Sequence, residues 1–230
     1  MTRSALIVGA GLGLSAALAR KCRAAGMEVA LAARDGEKAR AVAEETGATL
    51  HSCDASSIED VAALFDALDA ATGTPDLVVY NPSARLRGPI TELDPAATRA
   101  AIEVTCFGAF LVAQQAARRM LARGSGSILF TGASAGVKGF ANSSVFAMGK
   151  FGLRGLAQSL ARELHPQNIH VGHFVIDGGI RAAHRPERQD DGSDNMLDPD
   201  AIAETYMQFH AQHRSAWAWE IELRPWVERF

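Results

Sequence analysis

The chain has 230 residues, 48% of them hydrophobic and 21% charged, with a net charge of −3. That supplies apolar material for one large layered domain, and it leaves no basic excess with which to neutralise nucleic-acid phosphates. Three scattered cysteines, Cys22, Cys53 and Cys106, give neither a disulfide framework nor metal-ligand spacing, so no metal site and a reducing, cytoplasmic setting are expected.

In chain order, residues 5–8 read as a buried strand, followed by a glycine-rich turn and helical spacing over 14–25. The apolar run from Ala5 to Ala19 after Arg3 imitates a secretory leader ending Ala17, Leu18, Ala19. A second strand at 28–33 and an acidic helix at 36–46 follow at the spacing of a βαβ unit, so the run is read as strand, turn and helix. Further strands are expected at 48–51, 76–80, 126–131 and 169–176, mostly apolar on both faces as a covered parallel sheet requires. Helices are expected at 57–71, 95–123 and 144–164, with Asp35-Gly36 and Asp94-Pro95 as starts. No apolar run is read as reaching the ~18 residues of a membrane span, so no membrane is expected as a partner. Residues 181–199 are polar and charged, either a solvated loop or a lid over a pocket at the strand ends. The aromatic stretch 217–230 is expected to form a last strand and tail against its own core or a second subunit. The fold class is therefore α/β, a doubly wound parallel sheet of about seven strands with helices on both faces, in one domain over residues 1–230.

The first turn reads Gly9, Ala10, Gly11, Leu12, Gly13, Leu14, Ser15. Glycines there let the backbone approach a pyrophosphate, and a helix N-terminus offers free N–H donors; the competing reading is glycine for tight packing alone. At the tip of the second strand Arg34 favours NADP(H) over NAD(H), because a guanidinium pairs with a 2′-phosphate where an acid would repel it. Asp35 either neutralises Arg34 or caps the next helix.

These features together resemble the short-chain dehydrogenase/reductase family, a Rossmann-like fold, over essentially the whole chain. Gly9, Gly13 and Ser15 match the family's Thr-Gly-x-x-x-Gly-x-Gly, with Val8 for Thr and Ser15 for the last Gly; Asp54 after Cys53 matches its adenine-contacting acid. Asn81 in Tyr80-Asn-Pro-Ser83 stands for Asn-Asn-Ala-Gly, and Gly178 and Ile180 lie where the family contacts the nicotinamide amide. The resemblance puts the catalytic Asn, Ser and Tyr on Thr105, Ala133 and Phe146, and leaves only Lys150, which it assigns to the nicotinamide ribose. It also implies a homodimer or homotetramer through the helix at 95–123 and the one containing Phe146.

A hydride added to a carbonyl creates an alkoxide that needs a proton. The family's Tyr supplies it beside a polarising Ser, and losing both removes factors of ~10²–10⁴ and ~10²–10³ in rate. Substitute donors by sequence position are Ser134, Ser143, Ser144, Tyr80, His184 and Tyr206, each with a structural reading as cap, core edge or loop. Two functions follow, ahead of a purely structural domain, which the persistence of the cofactor-side residues disfavours. One is an NADP(H)-binding oxidoreductase with a non-standard site acting on a small molecule, for instance an iminium that forms no alkoxide. The other is a silent nucleotide-binding sensor or partner subunit.

Overall fold

The computed structural model describes residues 3–182, 184–189 and 191–228. The ends of the 1–230 domain and of the 217–230 tail, and positions 183 and 190 of the 181–199 segment, lie outside the described residues.

Seven parallel strands form one sheet in the order β3-β2-β1-β4-β5-β6-β9. They are β1 (Ser4–Val8), β2 (Glu28–Ala33), β3 (Thr49–Ser52), β4 (Leu77–Tyr80), β5 (Gly126–Thr131), β6 (Ile169–Ile176) and β9 (Glu220–Leu223). The order reverses between β1 and β4, where a doubly wound sheet opens its crevice. Side chains alternate in β1: Leu6 and Val8 face one core, Ala5 and Ile7 the other. The first core is closed by α3 (Ile58–Ala71), α5 (Gly108–Arg123) and α6 (Ser144–Leu164), the second by α1 (Leu14–Ala24), α2 (Glu37–Thr46) and α7 (Pro199–His210). The expected α/β class, with helices on both faces, is what the chain adopts.

Two readings need correction. Residues 95–123 are not one regular helix: α4 (Pro95–Ile102) passes through a π turn at Glu103–Phe107 before α5. The wide turn frees the Val104 carbonyl to accept from the Tyr80 hydroxyl, and Thr105 Oγ1 accepts from the Ala84 amide at 3.0 Å. This 29-residue stretch is also long enough, and an 18-residue window of it, with mean hydropathy 1.4, apolar enough by composition, to cross a membrane. Here Ala109, Val112, Ala116 and Met120 are spent on the first core instead. Helix α7 went unread, although Asp198 before Pro199 repeats the Asp94-Pro95 start. Asp198 Oδ1 accepts from the Asp200 amide at 2.7 Å, and Ile202, Ala203, Tyr206 and Phe209 give the buried stripe.

The 181–199 segment is tied at its base, where β7 (Gly179–Ile180) pairs with β8 (Met196–Leu197). The tail contributes β9, added in parallel to β6.

Candidate active site

A cleft of about 650 Å³ opens at the carboxyl ends of β1, β4, β5 and β6. The turn after β1 supplies one wall. Gly9 has φ +82°, and a Cβ there would lie 2.8 Å from Pro82, so this glycine is demanded by conformation and close packing. Gly11 and Gly13 differ: nothing lies within 4 Å of where their Cβ atoms would be. Tight packing therefore accounts for Gly9 but not for the other two, which face open cleft. No side chain caps α1 at Gly13 and its first turn holds no acid, so its leading N–H groups stay available to an anion. Asn81 Nδ2 donates to Ser15 Oγ at 2.8 Å, and that hydroxyl donates to the Gly9 carbonyl at 2.9 Å, which pins the turn to the tip of β4.

A second hollow of about 330 Å³ adjoins at the tip of β2, lined by Arg34, Asp35, Lys38 and Asp54 among others. Arg34 is exposed and stands 4.0 Å from Asp54, while Asp35 accepts from the Glu37 amide at 3.1 Å. Asp35 thus bonds the first turn of α2 from just outside its Gly36 cap and pairs with Lys38, rather than neutralising Arg34. Asp54 is held below the usual carboxylate range, first by the Ser56 hydroxyl and also by Arg34.

At the other end of the cleft Ala133, Phe146 and Lys150 come together, with Gly178 and Ile180 across from them. Phe146 and Ala133 are buried against each other and Ala135. Lys150 is 2% exposed; its Nζ donates to the Thr131 carbonyl at 2.6 Å and lies 5.9 Å from the Phe146 ring centroid. No carboxylate pairs with it among the described residues. Burial, then the field of Arg85, hold it down to about 7. Thr105 is buried in the π turn, occupied by the Ala84 amide and packed against Gly149, and it does not line the cleft.

The substitute donors sort cleanly. Tyr80 and Tyr206 are both fully buried, the first bonded to Val104 and the second to Thr131 Oγ1 at 2.9 Å, and burial pushes both phenols up. Tyr206 belongs to α7, not to the 181–199 segment. Ser134, Ser143 and Ser144 do not line the cleft; His184 does. So does Arg85, which sequence reading missed. Its guanidinium carbon lies 4.4 Å from the Phe146 ring centroid. A basic residue four positions beyond Asn81, at the tip of a central strand, was the available signal. Behind the site, the buried His173 bonds Glu220 through Nδ1 at 2.9 Å, and Arg154 clasps Glu220 with two bonds of 2.7 and 2.8 Å. Among the described residues no cluster of ligands could hold a metal ion.

Residues 3–191 match the family described as short chain dehydrogenase. A trans-4-hydroxycyclohexanecarboxylate dehydrogenase of Sinomonas cyclohexanicum is 33% identical over 77% of this chain and 72% of its own length. Among solved structures, a short-chain dehydrogenase from Rhodopseudomonas palustris is 35% identical, with TM-score 0.82 over 97% of this chain and 100% of that one. A metagenomic short-chain oxidoreductase in complex with NADP is 29% identical, with TM-score 0.85 over 98% of both chains.

Proposed function

The chain belongs to the short chain dehydrogenase family, and from that premise we propose that it is an NADP(H)-binding oxidoreductase whose active site works without a tyrosine hydroxyl. The observation that carries this reading is the continuity of one cleft, from the open glycines Gly11 and Gly13 through Ser15 and Asn81 to Lys150, Gly178 and Ile180. The uncapped N-terminus of α1 suits a pyrophosphate. Arg34, joined by Lys38, suits the 2′-phosphate, with Asp54 beside them at the adenine end. The metagenomic relative that holds NADP supports the choice of coenzyme. When bound, the reduced nicotinamide supplies a hydride.

The chain's own part is to orient and to manage charge. Phe146 shuts water away from the Lys150 end but offers no proton, and Ala133 offers no hydrogen bond. Of the hydroxyl, imidazole and ammonium groups that line the cleft among the described residues, Ser15 and Thr131 are bonded to Gly9 and Tyr206, and Lys38 lies at the β2 end, which leaves Ser83, His184 and Lys150 toward the nicotinamide end. Lys150, held near 7, exchanges its proton near neutrality, which a general acid needs. An iminium substrate fits poorly, because Arg85 and Lys150 place two cations where a third would have to sit. Residues 181–199 act as the lid: Ala182, His184, Arg185 and Arg188 line the cleft from that side.

The decisive test follows reduced-nicotinamide absorbance with NADPH and a panel of ketones, imines and enones. Turnover of any of these supports the proposal. Tight binding with no turnover across the panel would leave the sensor or partner-subunit reading, which the missing hydroxyl at Phe146 favours. Arg34→Ala should weaken NADPH about tenfold and leave NADH unchanged; NADH binding more tightly than NADPH to the unaltered chain would overturn the coenzyme assignment.

A further inference from the structure

The charge of the cleft is out of keeping with the chain. The molecule carries −3 overall, yet among the described residues the cleft is lined by Lys38, Arg85, Lys150, Arg181, Arg185 and Arg188 and by no Asp or Glu. Two of these have carboxylate partners, Arg181 with Asp198 and Lys38 with Asp35. Arg85, Arg185 and Arg188 make no ion pair among the described residues. The bound coenzyme accounts for some of this charge but not for all of it. Its phosphates belong at the tips of β2 and β1, with Arg34, Lys38 and the α1 N-terminus. Phe146, Lys150 and Arg85 stand at the tips of β4 and β5, and β5 is two strands, about 10 Å, beyond β1.

Arg85 remains exposed to the cleft, and the Phe146 ring lies 4.4 Å from its guanidinium carbon, a cation–ring contact that favours this placement of the planar fork. From the opposite wall the short helix Pro186–Arg188 brings up Arg185 and Arg188. That wall is braced by Ala182 N to Arg188 O at 2.8 Å and Arg188 N to Arg185 O at 2.9 Å. The absent side chain of Gly179 leaves the space that Arg188 Nη1 fills. The mutual repulsion of these cations lowers the Arg85 proton affinity, behind the larger effect of burial. An anion arriving between them relieves that repulsion.

We propose that the substrate end of the cleft is a carboxylate site, in which Arg85 on the Phe146 ring, opposed by Arg185 and Arg188, binds the acid group of a small carboxylate-bearing substrate. This rests on the oxidoreductase reading for the word substrate; under it the reacting pair is an oxo acid and its hydroxy acid. The site itself needs only the geometry above, and a planar carboxylate matches the guanidinium fork in two parallel hydrogen bonds.

The test uses unreactive probes, so it does not depend on turnover. Benzoate and its neutral isostere benzamide are titrated calorimetrically into the full chain, with and without saturating NADP⁺, and acetate and acetamide repeat the comparison with a probe too small to be excluded by shape. We expect each acid to bind at least tenfold more tightly than its amide. Arg85→Gln should lose most of that preference, with NADP⁺ affinity and thermal midpoint unchanged, and Arg85→Lys should restore part of it. Equal binding of acid and amide, or a preference that survives Arg85→Gln, would sink the proposal, as would inorganic phosphate binding more tightly than any carboxylate when saturating NADP⁺ already fills the phosphate sites at the α1 N-terminus and Arg34. Failure of NADP⁺ to bind while the acid preference holds would instead remove the oxidoreductase reading and leave the carboxylate site standing.

Discussion

Phe146 occupies a position where a hydroxyl would have Lys150 on one side and Arg85 on the other, both cations that favour a phenolate. Phe146→Tyr with Ala133→Ser should therefore create NADPH-dependent ketone reduction, raised within the ~10²–10⁴ range of general-acid help over the unaltered chain, read as loss of absorbance; no gain would mean that neither side chain faces the reacting carbonyl. Lys150 carries a second expectation. Its folded value, about 7, lies below the ordinary 10.5, so between those values the unfolded chain holds more protons and stability rises with pH. The cost of burying the charge is complete below pH 7 and is relieved above it. Lys150→Met should thus stabilise the fold most at pH 6, with the gain shrinking toward pH 10, as measured by urea midpoints. Phe146, Ala133 and Lys150 were legible one by one, because each is a residue type at a motif spacing. Arg85 was not, because a cation acquires its role only from the ring beneath it and the charges opposite.

Strand β6 is buried along its whole length yet carries two histidines. His170 lies stacked between Phe209 and Trp217, both at 4.4 Å, and His173 is locked to Glu220. Burial holds both down to about 4, below the ordinary 6.5. Between those values the unfolded chain binds the extra protons, so stability is lost as pH falls from 6.5 to 4, by roughly 3 kcal/mol for each histidine. His170→Phe should flatten this acid limb, seen as a smaller drop in urea midpoint between pH 7 and pH 5; an unchanged drop would place the titrating groups elsewhere. The strand itself was plain from its apolar run, and the histidines gave no warning, since their partners come from α7, from Trp217 in the loop after it and from β9, 47 residues on in the case of Glu220. Helix α7 shows the opposite case: its Asp198-Pro199 start and apolar stripe were local and could have been read. The π turn could not, because Val104 and Thr105 are drawn out of helical register by Tyr80 and Ala84, more than 20 residues earlier.

At the scale of the molecule, apolar side chains remain exposed on two helices of one face: Phe107 at the end of the π turn, Phe110 and Leu121 on α5, and Met148 and Phe151 on α6. Such a face suits burial against a second copy, as expected from the resemblance. Light scattering should give a dimer or tetramer, and Phe110→Glu with Phe151→Glu should shift it to monomer while the far-ultraviolet circular dichroism stays the same; a monomeric unaltered chain would assign the face to something else. The sequence by itself determined the α/β class, the order of strands and helices, the glycine turn and the phenylalanine four residues before Lys150, because hydrophobic period and short-range motifs are properties of adjacent residues. Only the tertiary structure decided which glycines face open space, that both tyrosines are walled into the core, and that three arginines with no ion pair among the described residues, one from the loop after β4 and two from the 181–199 segment, converge on one cleft. Those are distances between residues far apart in the chain, and charge acts across such distances without leaving any local pattern to read.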